Sequence, residues 1–449
     1  MRASYVLACG WGAIVAAGAV ACAASASTEE AQLRPDSGGG ETVTPDGSVA
    51  DLDVDADAKA DDAGPLCSKA GWCATSLPDA ELSMKDIWPL PGRAFAIAHS
   101  PVLGVKVLEW TDAQGTWAYI DDGTQNEPGI GKYAGNVWAP NENEAYYAVS
   151  PGYIYHGTRS APGAPWSWTR DRLQDNNKPG RVDAFLGYPK DWMIPCDPDP
   201  VEGYSRDWLA PCSPALGVRG TSSGDVYAWF TNTIYHRKSV DGGAPGWIPE
   251  YIANDSEDPD EHLIFVAAGG ESPDDLWFSG ARARYGAACA LAVRKTPAGY
   301  QRVADGVLVD IFFPCMEREG TPMIGGEEGW LLDIQTLAPN DVVGLKARRE
   351  VVRISADDAG YSVDLATVPY EVDPYGSTSL WSEPGNLWLS TEGKGRVLRG
   401  SNVWDGGSYE ISTTSLLGPL QQPVHRVRGT SNTNLWAIGD GYALHKTTP

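Results

Sequence analysis

Acid–base chemistry starts with histidine, whose ordinary pKa lies close to neutral pH, and this chain has six. Three of them, His156, His236 and His445, each follow an aromatic residue (Tyr147, Tyr227, Trp436) by nine positions. A residue that recurs unit after unit belongs to architecture, because an active site occurs once. His99, His262 and His425 remain, and neither Gly-x-Ser-x-Gly nor His-Glu-x-x-His occurs to give them a nucleophile or a metal partner. Binding is therefore a better expectation than hydrolysis.

Two stretches have residue types suited to binding. Tyr188, Trp192, Tyr204 and Trp208 alternate with Asp191, Asp197, Asp199 and Asp207. Aromatic rings give contact area at low entropy cost and carboxylates set orientation, a combination that suits carbohydrate or peptide. The competing reading, that these rings form the segment's own small core, is the preferred one. In Asn254–Glu261 the carboxylates of Asp255, Glu257, Asp258 and Asp260 fall close enough together to hold calcium. A solvated acidic loop explains them more simply.

One short pattern recurs along the chain and sets the elements on which these residues lie. It is a turn, an Asp or Asn, an apolar residue, an aromatic, then small and apolar residues in alternation. The clearest copies are Val218–Ala228 and Val427–Ala437, with looser ones at Ser272–Trp277, Ala338–Val343, Glu383–Trp388, Asn141–Tyr147 and Gly92–Phe95. The aromatic slots are Phe95, Tyr147, Tyr227, Trp277, Val343 (an aliphatic substitute), Trp388 and Trp436, spaced by 52, 80, 50, 66, 45 and 48 residues. Period-two alternation predicts strands, and four strands per unit of about 45–50 residues is the size of a propeller blade. The expected fold is all-β: a seven-bladed β-propeller of four-stranded antiparallel blades. The last copy shows three strands, so a strand near Trp72–Ser76 is expected to close its blade, since an open ring would leave sheet edges unpaired.

The long spacings mark insertions at about 173–214 and 304–324. Both are connections between blades, which share one face of a propeller with the loops between second and third strands. Cysteine usage fits this layout. Six cysteines remain once Cys9 and Cys22 are set aside, and proximity suggests Cys67–Cys73, Cys196–Cys212 and Cys289–Cys315 among fifteen possible pairings. Cys289 follows a second strand and Cys315 lies in an inter-blade connection, so the topology lets them meet.

Residues 1–21 form a signal peptide, with Arg2 ahead of an apolar run and Ala-Val-Ala before Cys22. Small residues before a cysteine resemble a bacterial lipobox, which implies that Cys22 is lipidated. The Ala23 that follows implies the outer membrane or cell surface, with a periplasmic or secreted protein as the alternative. Residues 22–66 are rich in Ser, Gly, Asp and Ala, lack aromatics, and predict a disordered acidic tether contributing −9 of the net charge of −25. Acid in such excess disfavours nucleic acid and anionic membrane surfaces, leaving the lipid as the membrane contact.

The motif Val-Arg-Gly-Thr-Ser-x-x-Asp-Val-Tyr-Ala…Ile-Tyr-His resembles tandem repeats of bacterial secreted and surface lipoproteins of the β-propeller class, akin in shape to kelch and Asp-box propellers. The resemblance spans residues 70–449 and implies fold and location rather than activity. Ser239–Trp247 approximates the Asp-box turn with one residue too many. Taken together, the sequence predicts a monomeric binding or scaffold module (67–449) for a protein or carbohydrate ligand. The alternative is a glycan-active hydrolase or lyase with a pocket on the propeller axis. No cofactor is expected apart from possible calcium.

Overall fold

The computed structural model describes residues 67–449 apart from 132, 177–214, 257, 259–260, 285–286, 309–314, 327–328, 348, 358–359, 392–394, 413–422 and 449. The described strands form seven four-stranded antiparallel sheets. The first blade holds β2 (Ser83–Leu90), β3 (Arg93–Ser100), β4 (Gly104–Thr111) and β5 (Trp117–Tyr119). The second has β6 (Ala134–Asn141), β7 (Glu144–Val149), β8 (Tyr153–Thr158) and β9 (Ser167–Arg172), and the third β10 (Leu216–Ser222), β11 (Asp225–Phe230), β12 (Thr233–Lys238) and β13 (Gly246–Ile252). The fourth comprises β14 (His262–Ser272), β15 (Asp275–Arg284), β16 (Ala287–Thr296) and β17 (Gly299–Ala304). The fifth comprises β18 (Leu331–Ala338), β19 (Asp341–Lys346), β20 (Glu350–Asp357) and β21 (Gly360–Thr367). The sixth runs through β22 (Ser377–Glu383), β23 (Asn386–Thr391), β24 (Val397–Ser401) and β25 (Ser408–Ser412).

Closure of the ring follows the expectation. The seventh blade contains β26 (Val424–Ser431), β27 (Asn434–Gly439) and β28 (Tyr442–Lys446), and its outer strand is the N-terminal β1 (Trp72–Ala74). β1 pairs antiparallel to β28 with Trp72 opposite Lys446 and Ala74 opposite Leu444. Trp72 is fully buried, its ring edge-on to Trp388 at 6.1 Å, and its Nε1 donates to the Ser412 hydroxyl at 2.8 Å. The Cys67–Cys73 disulfide, with Cα atoms 3.9 Å apart, fixes the chain just ahead of this strand.

The repeated pattern builds one structure on the face where first strands turn into second strands. The residue opening each second strand, the aromatic two places on, and the third-strand residue opposite that aromatic form a triad. In blade 3 these are Asp225, Tyr227 and His236. Tyr227 donates to Asp225 at 2.9 Å, and His236 stacks on Tyr227 at 4.2 Å with Nε2 3.1 Å from Asp225. Blade 7 repeats it with Asn434, Trp436 and His445, the two rings 4.0 Å apart. Blade 4 substitutes arginine: Arg294 lies over Trp277 and donates to Asp275 at 2.8 Å. Blade 5 has Arg353 on Asp341, blade 6 has Arg399 on Asn386, and blade 1 inverts the polarity with Arg93 paired to Glu109.

Blade 2 corrects the sequence reading. The triad there is Glu144, Tyr146 and His156, with His156 opposite Tyr146 and stacked on it at 4.3 Å. The hairpin through Ser150, Pro151 and Gly152 is one residue longer than that of blade 3, so a nine-residue count back from His156 lands one position late, on Tyr147. A one-residue shift moves a side chain to the other side of a sheet, and Tyr147 accordingly stacks on Tyr155. In blade 6, Trp404 lies in a short 3-10 turn ahead of β25.

Around the axis, first strands have a ladder partner on one side only. Their inward N–H groups need acceptors, and side chains of the preceding blade supply them. Asp86 accepts from Val137 at 3.0 Å, Asp333 from Leu380 at 3.1 Å, and Ser379 from Val427 at 2.8 Å. Because one kind of position does this in three blades, these groups latch neighbouring blades together.

Candidate functional site

The face opposite the triads carries the loops between second and third strands and the connections between blades, and it is the less regular of the two. Six of the most exposed large apolar side chains among the described residues lie there. Val102 and Leu103 are in the β3–β4 loop, Val307 and Met316 follow β17, and Tyr370 and Tyr375 follow β21.

The Pro369–Gly376 connection shows how the sequence presents such residues. Val368 is fully buried and takes its N–H bond to the Arg349 carbonyl at 2.8 Å. Val372 and Asp373 both donate their N–H to the Pro369 carbonyl at 3.0 Å, closing a turn. Asp373 is buried, and its carboxylate accepts the Gly376 N–H and the Ser377 hydroxyl, while burial pushes its carboxyl pKa upward. With its core residues turned inward, the loop leaves Tyr370 60% and Tyr375 55% exposed. The Arg349 guanidinium lies 5.1 Å from the Tyr370 ring centre. Two rigid aromatic rings on a braced loop, next to a cation, form a ready contact surface at low entropic cost. Sequence reasoning missed this pair. The signal was present in Pro-Tyr-Glu-Val-Asp-Pro-Tyr, an aromatic on each side of a turn stiffened by two prolines.

The neighbouring connection, from blade 4 to blade 5, is braced by charge and by a disulfide. Cys289 and Cys315 are joined with Cα atoms 5.4 Å apart. Gly306 packs against the bridge so closely that a Cβ there would lie 2.1 Å from the Cys315 sulfur. Arg282, with a side chain 1% exposed, donates to the fully buried Asp305 at 2.8 Å and also pairs with Glu261. Asp255 receives Arg302 at 2.7 Å and Arg318 as well, with Arg282 3.4 Å away. Burial alone would raise the Asp255 carboxyl, but Arg302, Arg282 and Arg318 outweigh it and hold its pKa at about 2. Of the carboxylates considered for calcium, Asp255 thus faces three guanidinium groups that a cation would have to displace. Asp258 pairs with Arg284 at 2.8 Å. Glu257 and Asp260 lie outside the described residues, as do Tyr188, Trp192, Tyr204, Trp208 and the Cys196–Cys212 pair. A cavity of about 400 Å³ lined by Pro151, Arg172, Leu173, Gln174, Asp175 and Phe230 opens where the chain enters residues 177–214.

The axis was the place to look for glycan chemistry, and it does hold converging charge. Asp333 takes Arg428 at 2.9 Å with Arg426 3.7 Å away, and Asp86 lies 3.5 Å from Arg426. Both carboxylates also accept backbone N–H groups of the next blade. These contacts tie neighbouring blades together, the role that Ser379 plays at the equivalent position of blade 6. Of the remaining histidines, His425 lies 2.9 Å from Asp440, which also accepts the Ser83 hydroxyl. The carboxylate stands between Ser83 and His425 in this group, an order that ties blade 7 to blade 1 and does not activate the serine.

The chain matches no protein-family model, and no curated protein matches it by sequence. Similarity is to solved propellers. A structure described as YCF48 bound to D1 peptide superposes with a TM-score of 0.50 at 14% identity, covering 86% of this chain and 97% of the other. YCF48 from Cyanidioschyzon merolae gives 0.51 at 12% identity, covering 84% and 99%. At such identity the likeness is one of fold, and it agrees with the seven-bladed ring.

Proposed function

We propose that this chain is an exported, lipid-anchored propeller that binds a protein or peptide through its connection face. The observation that carries the reading is the outward projection of Tyr370 and Tyr375 from a braced loop. Function concentrates in loops held on rigid scaffolds, and interface hot spots are rich in Tyr and Arg. One solved structure of the same fold is described as bound to a peptide, which makes a peptide a reasonable first ligand class to test. Export is supported by the two disulfides, which suit an oxidising compartment. Anchoring rests on Cys22 and the signal-like residues before it.

Peptide-display selection against the full chain, followed by titration of the selected peptide, tests the binding claim. Replacing Tyr370 and Tyr375 by Ala should weaken the peptide by tenfold or more while leaving Tm unchanged. Unaltered affinity in that variant counts against the face. Metabolic labelling with palmitate tests the anchor: label is expected on the wild type and absent from Cys22→Ala.

A further inference from the structure

At the level of the aromatic slots, one residue of each first strand stands opposite the slot. In blades 3 and 7 that residue is an arginine, Arg219 opposite Tyr227 and Arg428 opposite Trp436. Arg428 is satisfied by Asp333 and by the Leu380 carbonyl at 2.7 Å. Arg219 is not comparably served. Its guanidinium reaches across the ring to lie 4.3 Å from the Trp88 ring centre of blade 1. Its Nη2 has a 3.3 Å bond to the Gly270 carbonyl of blade 4, and its Nε is buried with no hydrogen-bond partner among the described residues. Trp88 and Gly270 come late in their strands, so Arg219 is directed toward the mouth of the channel on the triad face. It keeps partial exposure there.

The charges at the axis balance in number, three arginines against three carboxylates. Arg426 and Arg428 take up Asp86 and Asp333, while the exposed Glu271 acts on Arg219 from the rim. Burial, and next the charge of Arg428, push the Arg219 pKa down to about 10. A buried N–H left without an acceptor costs about 1–3 kcal/mol, and an ionised acceptor is the strongest partner a guanidinium can take.

We propose that Arg219 is the receptor of an axial carboxylate site, entered from the triad face of the ring. The carboxylate accepts from Nε and one Nη of Arg219, Arg428 supplies a second cation, and the Trp88 indole backs the guanidinium. This site is independent of the connection face, at the other end of the channel.

The test is an NMR titration of the arginine Nε–H resonances of the full chain with two probes, succinate and an acetylated, amidated Gly-Glu-Gly peptide. The Arg219 Nε–H, identified by its loss in Arg219→Lys, should move downfield and saturate. Tighter binding of succinate assigns the site to small acids, and tighter binding of the peptide to an acidic side chain of a partner. Calorimetry should show at least a tenfold loss in Arg219→Lys. If that variant does not fold, wild-type Tm should still rise saturably with succinate at ionic strength matched by chloride. An unmoved resonance and unmoved Tm with both probes, or undiminished binding in Arg219→Lys, overturns the proposal.

Discussion

The two faces of the ring are made by the same seven sheets, yet they use side chains in opposite ways. On the triad face, polar groups pair with one another: Asp225 with Tyr227 and His236, Asp275 with Trp277 and Arg294, Glu144 with Tyr146 and His156. Triad groups satisfy one another, and some also hold the next blade, as Asp275 does by accepting the Asn340 N–H and Glu109 by accepting Arg159, so little is left over for a ligand. On the connection face, loops differ in length and bracing, and Tyr370, Tyr375 and Met316 project outward. Repetition uses up chemical potential and interruption releases it. Arg219 differs from its counterpart Arg428 in its partners: Arg428 pairs with Asp333, whereas the Arg219 Nε has no acceptor among the described residues.

Substitutions should separate the two faces. The largest effect is expected at the closure, where Trp72→Ala removes a fully buried indole. A loss of about 3–5 kcal/mol should appear as a marked drop in the denaturant midpoint. Trp277→Ala on the triad face should cost a similar amount, whereas Met316→Ala on the connection face should stay within about 0.5 kcal/mol, as surface changes do. Equal costs would abolish the distinction. Cys289→Ser with Cys315→Ser removes a bridge spanning 26 residues, with an expected loss of about 3 kcal/mol in the chain-entropy estimate.

The smallest effect concerns pH. Burial pushes the His445 pKa down to about 4, while in His236 Asp225 and Glu250 outweigh burial and push it up. His445 is harder to protonate when folded, so its contribution is complete above the ordinary histidine pKa of about 6.5 and falls away as pH drops toward 4. His236 has the opposite sign, its contribution being present at low pH and lost as pH rises through its folded pKa. His445→Gln should therefore flatten the decline of Tm between pH 6.5 and pH 4, and His236→Gln should remove a loss of Tm that appears in the wild type as pH rises above about 6.5.

Much of the architecture was legible because it repeats. The slots at Tyr227, Trp277, Trp388 and Trp436 are all buried at the expected positions, and the strand at Trp72 supplies the fourth strand that the last copy lacked. The slip at Tyr147 came from hairpin length, which a fixed nine-residue interval cannot sense. The Cys289–Cys315 pairing was suggested by proximity in sequence and supported by topology, which lets both residues lie on one face. The axial cluster was illegible for a different reason. Asp86, Asp333, Arg219 and Arg428 are far apart in sequence and meet because the ring closes, and nothing local to Val218-Arg219-Gly220 says that its arginine Nε has no acceptor among the described residues. Tyr370 and Tyr375 were not legible because their exposure depends on Val368 and Asp373 turning inward, which a sequence pattern does not show.

The central claim is that ligand contact belongs to the connection face and the triads to architecture. Hydrogen–deuterium exchange on the full chain, with and without a selected peptide, tests it most directly. The account predicts new protection in the 369–376 connection and the neighbouring 305–324 segment, with the turns that open β11, β15 and β27 unchanged. Protection confined to those turns would contradict it.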